Sequence, residues 1–383
     1  MSAFVKKILR GLFVFLFCLC FLTACGQGEE KPTASSSQPA QEAKKEEEVP
    51  LEYSKQFTIK KLEDGCSLIS LKEGHRFVVV PEGKKAPDNL PKDTVVLQQP
   101  IKNIYCAATA IVGFFDSLDS LDALPMIGSK RASWTNANIT KAMDEGKIVN
   151  AGNYKNPDYE LLTSKKCPLA IESGMIKHAP EVQTKLEELG IPVLEERTSY
   201  EDSPLGRMEW VKLIGCLLGK EEQANKAFEE QKKLVEESRE KDTGKTAAFF
   251  NVSRGDVIAR RTGDYVTKMI ELAGGHYIFD NLTNDGKRSS IVHLEMEAFY
   301  QGAKDADILF YNNTVGNNVK SLKDLFEKNE LFKDFKAVKE GNVWAVSGDM
   351  YQDIMMSGQV VKSLHEIFKG SDKDELPYMT RLK

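Results

Sequence analysis

The chain has 383 residues, 41% hydrophobic and 28% charged, with a formal net charge of −5. Its basic and acidic residues are interspersed rather than gathered, which argues against a nucleic-acid partner. Beyond residue 24 the cysteines, Cys25, Cys66, Cys106, Cys167 and Cys216, are sparse and show no CxxC pairing, which argues against a disulfide framework or a zinc ribbon. Lys6, Lys7 and Arg10 precede an apolar run from Gly11 to Leu22. At about a dozen residues the run is too short to cross roughly 30 Å of hydrocarbon as a helix. It has the form of a signal-peptide h-region.

The run ends in Leu22-Thr23-Ala24-Cys25, which resembles the lipobox of bacterial lipoproteins. That resemblance implies that residues 1–24 are a signal peptide. Cys25 then becomes a lipidated N-terminus, holding the protein to the outer face of the cell membrane. Residues 25–50 are rich in Gly, Ser, Pro, Gln, Lys and Glu and have almost nothing to bury, which predicts a disordered tether. A flexible coil of about 25 residues spans roughly 25–30 Å.

About 330 residues remain, more than one ordinary core and about right for two lobes. Phe57–Lys61, Ser67–Leu71 and Phe77–Val80 alternate in polarity and are separated by Asp64-Gly65 and Glu73-Gly74, which predicts a small antiparallel meander. From Ile104 the rhythm becomes strand, helix, strand. Ile104–Ala107 reads as a strand, and Thr109 as the cap of a helix through Ile111, Phe115 and Leu118. Pro125–Gly128, Leu169–Ile171 and Ile191–Leu194 read as further strands, the last after a helix from Pro180 to Leu189. Pro204–Leu218 is one apolar-periodic helix, and Lys220 to about Arg239 is a second, highly charged one. The rhythm resumes with strands at Thr246–Val252, Ile308–Tyr311 and Val343–Val346, and helices at Val266–Ala273 and through Val360 to Ile367. Repeated units of this kind imply parallel sheets covered by helices. The expected fold is α/β: two Rossmann-like lobes over residues 51–219 and 242–383, bridged by a long helix over 220–241. The meander lies near the start of the first lobe.

In order and spacing, several segments together resemble the solute-binding proteins for iron-siderophore, haem and cobalamin import. These are Leu189-Gly190-Ile191-Pro192-Val193, the run from Ser199 to Trp210, Leu218-Gly219-Lys220-Glu221, Met269 to Gly275, Glu297 with Ala306-Asp307-Ile308, and Val338 to Trp344. The resemblance covers roughly Ile101 to Gly370. It implies a monomeric binding protein without turnover, working with an ABC permease and its ATPase. It also implies an acidic docking residue on each lobe rim, which matches Glu297 and, approximately, Glu181.

No GxSxG elbow, GxxxxGK[ST] loop, GxGxxG turn or HExxH helix is present, and His293-Leu294-Glu295-Met296-Glu297 lacks the second histidine of a zinc helix. A chelatase-like protein on the same fold, or a surface structural lipoprotein, are readings from other classes. Ligands of parallel α/β sheets gather beyond the carboxyl ends of the strands. This position selects Thr109, Lys130, Arg131 and Trp134 in the first lobe, with Tyr154 nearby, and Arg260, Arg261, Asn312 and Tyr351 in the second. Arg260 and Arg261 have the geometry to clamp carboxylates of an anionic chelate. Trp134 and Tyr351 have flat faces for a catechol, porphyrin or corrin. A haem ligand falls most naturally on His293 or His276. The ligand identity, whether siderophore, haem or corrinoid, stays open at this point.

Overall fold

The first sheet holds β1 (Glu47–Glu48), β2 (Phe57–Lys61), β3 (Ser67–Leu71), β4 (Arg76–Val80) and β5 (Thr94–Gln98), in that order. The computed structural model describes residues 47–239, 242–279, 281–282, 290–313 and 319–383. The expected signal peptide, Cys25 and most of the expected tether therefore lie outside the described residues. The last tether residues do not stay free. Glu47 and Glu48 pair with Lys61 and Lys60, setting opposite charges across the strands. The pairs β2–β3 and β3–β4 are antiparallel as expected, β1 adds an unexpected antiparallel pair to β2, and β5 adds in parallel to β4. The crossover through residues 81–93 has no alternating pattern to announce it.

The second sheet has the order β10-β9-β6-β7-β8 and is parallel throughout. Its strands are β6 (Tyr105–Cys106), β7 (Met126–Ile127), β8 (Val149–Asn150), β9 (Ala170–Ser173) and β10 (Val193–Glu196). Helix α1 (Thr109–Ser117) leaves β6, and α2 (Pro180–Glu188), with proline at its start, joins β9 to β10. Thr109 is the first helical residue rather than the cap; Ala108 holds the cap position.

The expected single helix over Pro204–Leu218 is two, α3 (Pro204–Met208) and α4 (Val211–Leu218), ended by left-handed Gly219. Then comes α5 (Glu221–Ser238), whose 18 residues make a rod about 27 Å long. Ala224, Phe228 and Val235 form its buried stripe.

The third sheet is built from β11 (Thr246–Ser253), β12 (Asp256–Arg260), β13 (His276–Tyr277), β14 (Ile291–Leu294), β15 (Ile308–Asn312), β16 (Val343–Val346), β17 (Glu375–Leu376) and β18 (Met379–Arg381). Its order is β14-β12-β11-β15-β16-β18-β17, with β13 also pairing β11. The centre, β11-β15-β16, is parallel, and β12, β14 and β18 extend it with antiparallel pairs. Helices α6 (Tyr265–Leu272), α7 (Met296–Ala303) and α8 (Ser357–Phe368) connect or cover it.

Helix α5 is gripped from both sides by glycines. A Cβ on Gly215 of α4 would stand 2.5 Å from Ala224 Cβ, and one on Gly358 of α8 would stand 2.4 Å from the Gln231 carbonyl oxygen. Glycine alone permits such approach. One continuous apolar core runs from Phe57 and Ile69 through Phe114 and Trp210 to Phe228, Phe250 and Leu364.

The chain preceding β2 is held by two buried carboxylates between the second sheet and α5. Glu209 accepts the backbone N–H groups of Glu52, Tyr53 and Ser54 at 2.8–2.9 Å, and Glu201 accepts those of Lys55 and Gln56 at 2.9 and 3.2 Å. Lys212 adds an ion pair to Glu209 at 2.8 Å, and Trp210 donates its indole N–H to Glu201 at 2.9 Å. Burial opposes charge on Glu209, but Lys212 and the three amides hold its carboxyl below the usual range.

Candidate ligand-binding cleft

The parallel strands β11 and β15 place Phe250 opposite Tyr311. Residues alternate along a strand, so Asn251 and Asn312 come side by side on the other face. Antiparallel β12 sets Ile258 opposite Asn251, and one step of two further brings Arg260 to the same face as Phe249. These residues line a cavity of about 430 Å³, within the size range of small-molecule sites. Thr109 closes it from the start of α1, just after β6, and Tyr351 and Gln352 from the turn after β16. Residues next to the carboxyl ends of β6, β15 and β16 thus share one space, where parallel sheets place their ligands.

Thr109, Arg260, Asn312 and Tyr351 are therefore brought together. Lys130, Arg131 and Trp134 do not line this cavity. Arg131 forms an exposed bidentate pair with Asp144 at 2.7 and 3.0 Å, and Lys130 is exposed at the start of the same turn. Trp134 is buried in the first core and donates its indole N–H to Ser129 Oγ at 2.8 Å, so the ring has no face to offer. The turn itself is close, since Gln352 Nε2 donates to the Ser133 carbonyl at 2.5 Å. Arg261 faces a separate, polar cavity of about 230 Å³ beside Tyr200, Asp202 and Lys268. There Lys268 donates to the Asp202 carbonyl, joining the two halves again. Tyr154 packs against the cluster around Tyr105.

Arg260 is not a waiting clamp. Its Nε and Nη2 donate to the two Asp264 oxygens at 2.9 and 2.8 Å, and both side chains are at most 10% exposed. Its guanidinium lies 5.6 Å from the Tyr265 ring centre and 5.8 Å from that of Tyr351, and Arg207 stacks on Tyr265 at 3.9 Å. Burial works against its charge, yet Tyr351 and Asp264 raise its pKa above the ordinary value. Burial pushes the Tyr351 phenol up, and Arg260 moderates the rise. Among the described residues no group of three His, Cys, Asp or Glu side chains has the geometry for a metal ion. None of the five histidines lines the cavity. His276 pairs with Asp242 at 2.5 Å, His293 with Asp256 at 3.6 Å, and His365 meets the Ala273 carbonyl.

Asn251 and Gln352 were not singled out from sequence. Asn251 had a signal, being the one polar residue inside the apolar run Ala247–Val252. Gln352 had none, since its partner Ser133 is 219 residues away.

A profile of periplasmic binding proteins matches residues 110–349. An uncharacterised lipoprotein of Methanocaldococcus jannaschii is 28% identical over 375 residues, 92% of each chain. A second lipoprotein of that organism is 26% identical over 302 residues, 74% of this chain and 70% of the relative. Among solved structures, the petrobactin-binding protein of Bacillus subtilis superposes with a TM-score of 0.57 at 16% identity, over 72% of this chain and 94% of that one. A catecholate-siderophore binding protein of Vibrio cholerae gives 0.55 at 12% identity, over 80% and 99%.

Proposed function

Because this chain belongs to the periplasmic binding protein family, we propose that it captures an iron-siderophore-type metal chelate for an ABC importer. The cleft between Thr109 and the Arg260–Tyr351 side takes the chelate, and the loaded protein docks onto a permease that its ATPase drives. Cys25 carries the lipid anchor on the outer face of the cell membrane. The observation that carries this reading is the shared cavity at the carboxyl ends of strands from two sheets, the place where the α/β architecture gathers ligands. Haem is supported less, because no histidine lines the cavity. A corrinoid makes no such demand.

Glu181 and Glu297 are exposed in the first turns of α2 and α7, and we assign them to permease docking. Native mass spectrometry of the protein isolated from its own cells tests the capture. A bound metal chelate is expected. Protein that emerges ligand-free and ignores ferric chelates, haemin and cobalamins in titrations would sink the reading.

A further inference from the structure

We infer that the cleft selects an electrically neutral metal complex with amide groups on its rim, in preference to a carboxylate- or catecholate-rich anion. The inference rests on reading this cleft as the chelate site, and it concerns what that site recognises.

Charge is the first argument. Among the described residues lining the cavity, Arg260 carries the only charge, and Asp264 already neutralises it through two hydrogen bonds. A complex of charge −2 or −3 entering this space would leave water without gaining a free cation. Burying an ion without a partner is costly, so an anion is penalised where a neutral complex is not.

Hydrogen bonding is the second. The Asn251 side chain is buried against the cavity, and among the described residues it makes no hydrogen bond with protein. It offers a donor and an acceptor side by side. Gln352 presents an acceptor. Its nitrogen is fixed by the Ser133 carbonyl, which only accepts, and its Oε1 is buried without a partner. A ligand N–H satisfies that oxygen, whereas carboxylate and deprotonated catecholate edges have no hydrogen to give. Leaving a buried acceptor unmet is what makes such sites reject the wrong ligand. Phe249, Ile258 and Ile291 supply an apolar wall suited to an uncharged body.

Two sources share this chemistry: a ferric hydroxamate on a peptide backbone, and a corrinoid with peripheral carboxamides. Calorimetric titration of the full-length lipoprotein in detergent distinguishes them. The probes are a neutral ferric trihydroxamate peptide, cyanocobalamin, a ferric tricatecholate and haemin. One of the first two is expected to bind at least ~100-fold more tightly than either anionic probe, the scale of discrimination by unmet hydrogen bonds. Its affinity should change by less than about threefold between about 0.05 and 0.5 M salt, since no charge pair forms. Asn251→Asp, nearly the same shape but without the donor and with added charge, should weaken it by about 10- to 100-fold. Tighter binding of the tricatecholate or haemin, or an unaffected Asn251→Asp protein, overturns the neutral-amide assignment and leaves the chelate site standing. Binding of none of the four overturns both.

Discussion

Arg260 shows how a residue changes meaning once its neighbours are known. At the end of a strand beside a second arginine it reads as a ligand clamp; in the fold it is half of a buried i,i+4 ion pair whose acid also caps α6 through the Val266 N–H. Arg260→Ala should therefore lower stability by about 3–5 kcal/mol even without ligand, because Asp264 is left charged and buried. Urea denaturation checks this, and the double change Arg260→Met with Asp264→Leu should recover most of the loss. Glu172, on β9, is wholly buried, and neither carboxyl oxygen has a partner among the described residues. Burial pushes its pKa from 4.5 up to about 8. The folded state thus holds a proton the unfolded chain has released. This contribution is fully present below pH 4.5 and is lost as pH rises through about 8. Stability should fall between about pH 4.5 and pH 8 by a few kcal/mol, at about 1.4 kcal/mol per pKa unit. Glu172→Gln should flatten that slope in urea titrations, and an unchanged slope would rule Glu172 out as its source.

At the scale of elements, the glycine contacts around α5 set the spacing of three helices. Gly358→Ala directs its methyl at the Gln231 carbonyl, a backbone atom that cannot swing aside. It should cost about 1–3 kcal/mol, as overpacked interiors do, read as a lower urea midpoint. Glu209→Ala should do more. It leaves three part-buried amides and Lys212 without their acceptor, and limited proteolysis should then cut near Leu51–Gln56. The regular elements were largely legible: the strands at 57–61, 67–71 and 343–346 and the charged α5 follow from period and breakers. Antiparallel β12 and β14 were not, because short strands beside turns carry little pattern. The role of Glu201 and Glu209 was equally hidden. Their partners lie about 150 residues earlier and are backbone amides, which no side-chain motif can advertise.

On the scale of the whole molecule, the described residues from Glu47 to Lys383 form one compact unit. Gln352 with Ser133 and Lys268 with Asp202 cross from one α/β half to the other on either side of Arg260. Delivery separates a transport component from a free binder. Glu181→Lys with Glu297→Lys should leave ligand affinity unchanged and abolish uptake, since opposed like charges cost several kcal/mol at an interface. Uptake assays in cells checked for equal protein amounts decide this, and full uptake by the double variant would reduce both residues to solvated helix starts.

The five consecutive amides of Glu52–Gln56 also determine where force enters the protein. A chain anchored upstream of Glu47 pulls first on β1 and then on a segment hooked to Glu209 and Glu201. Those carboxylates belong to the stretch leading into α5, so a pull on this segment is taken up there before it reaches any residue lining the cavity. In the anchored form proposed above, these amides would take the load between membrane and body, so tethering and ligand capture would fall on separate residues.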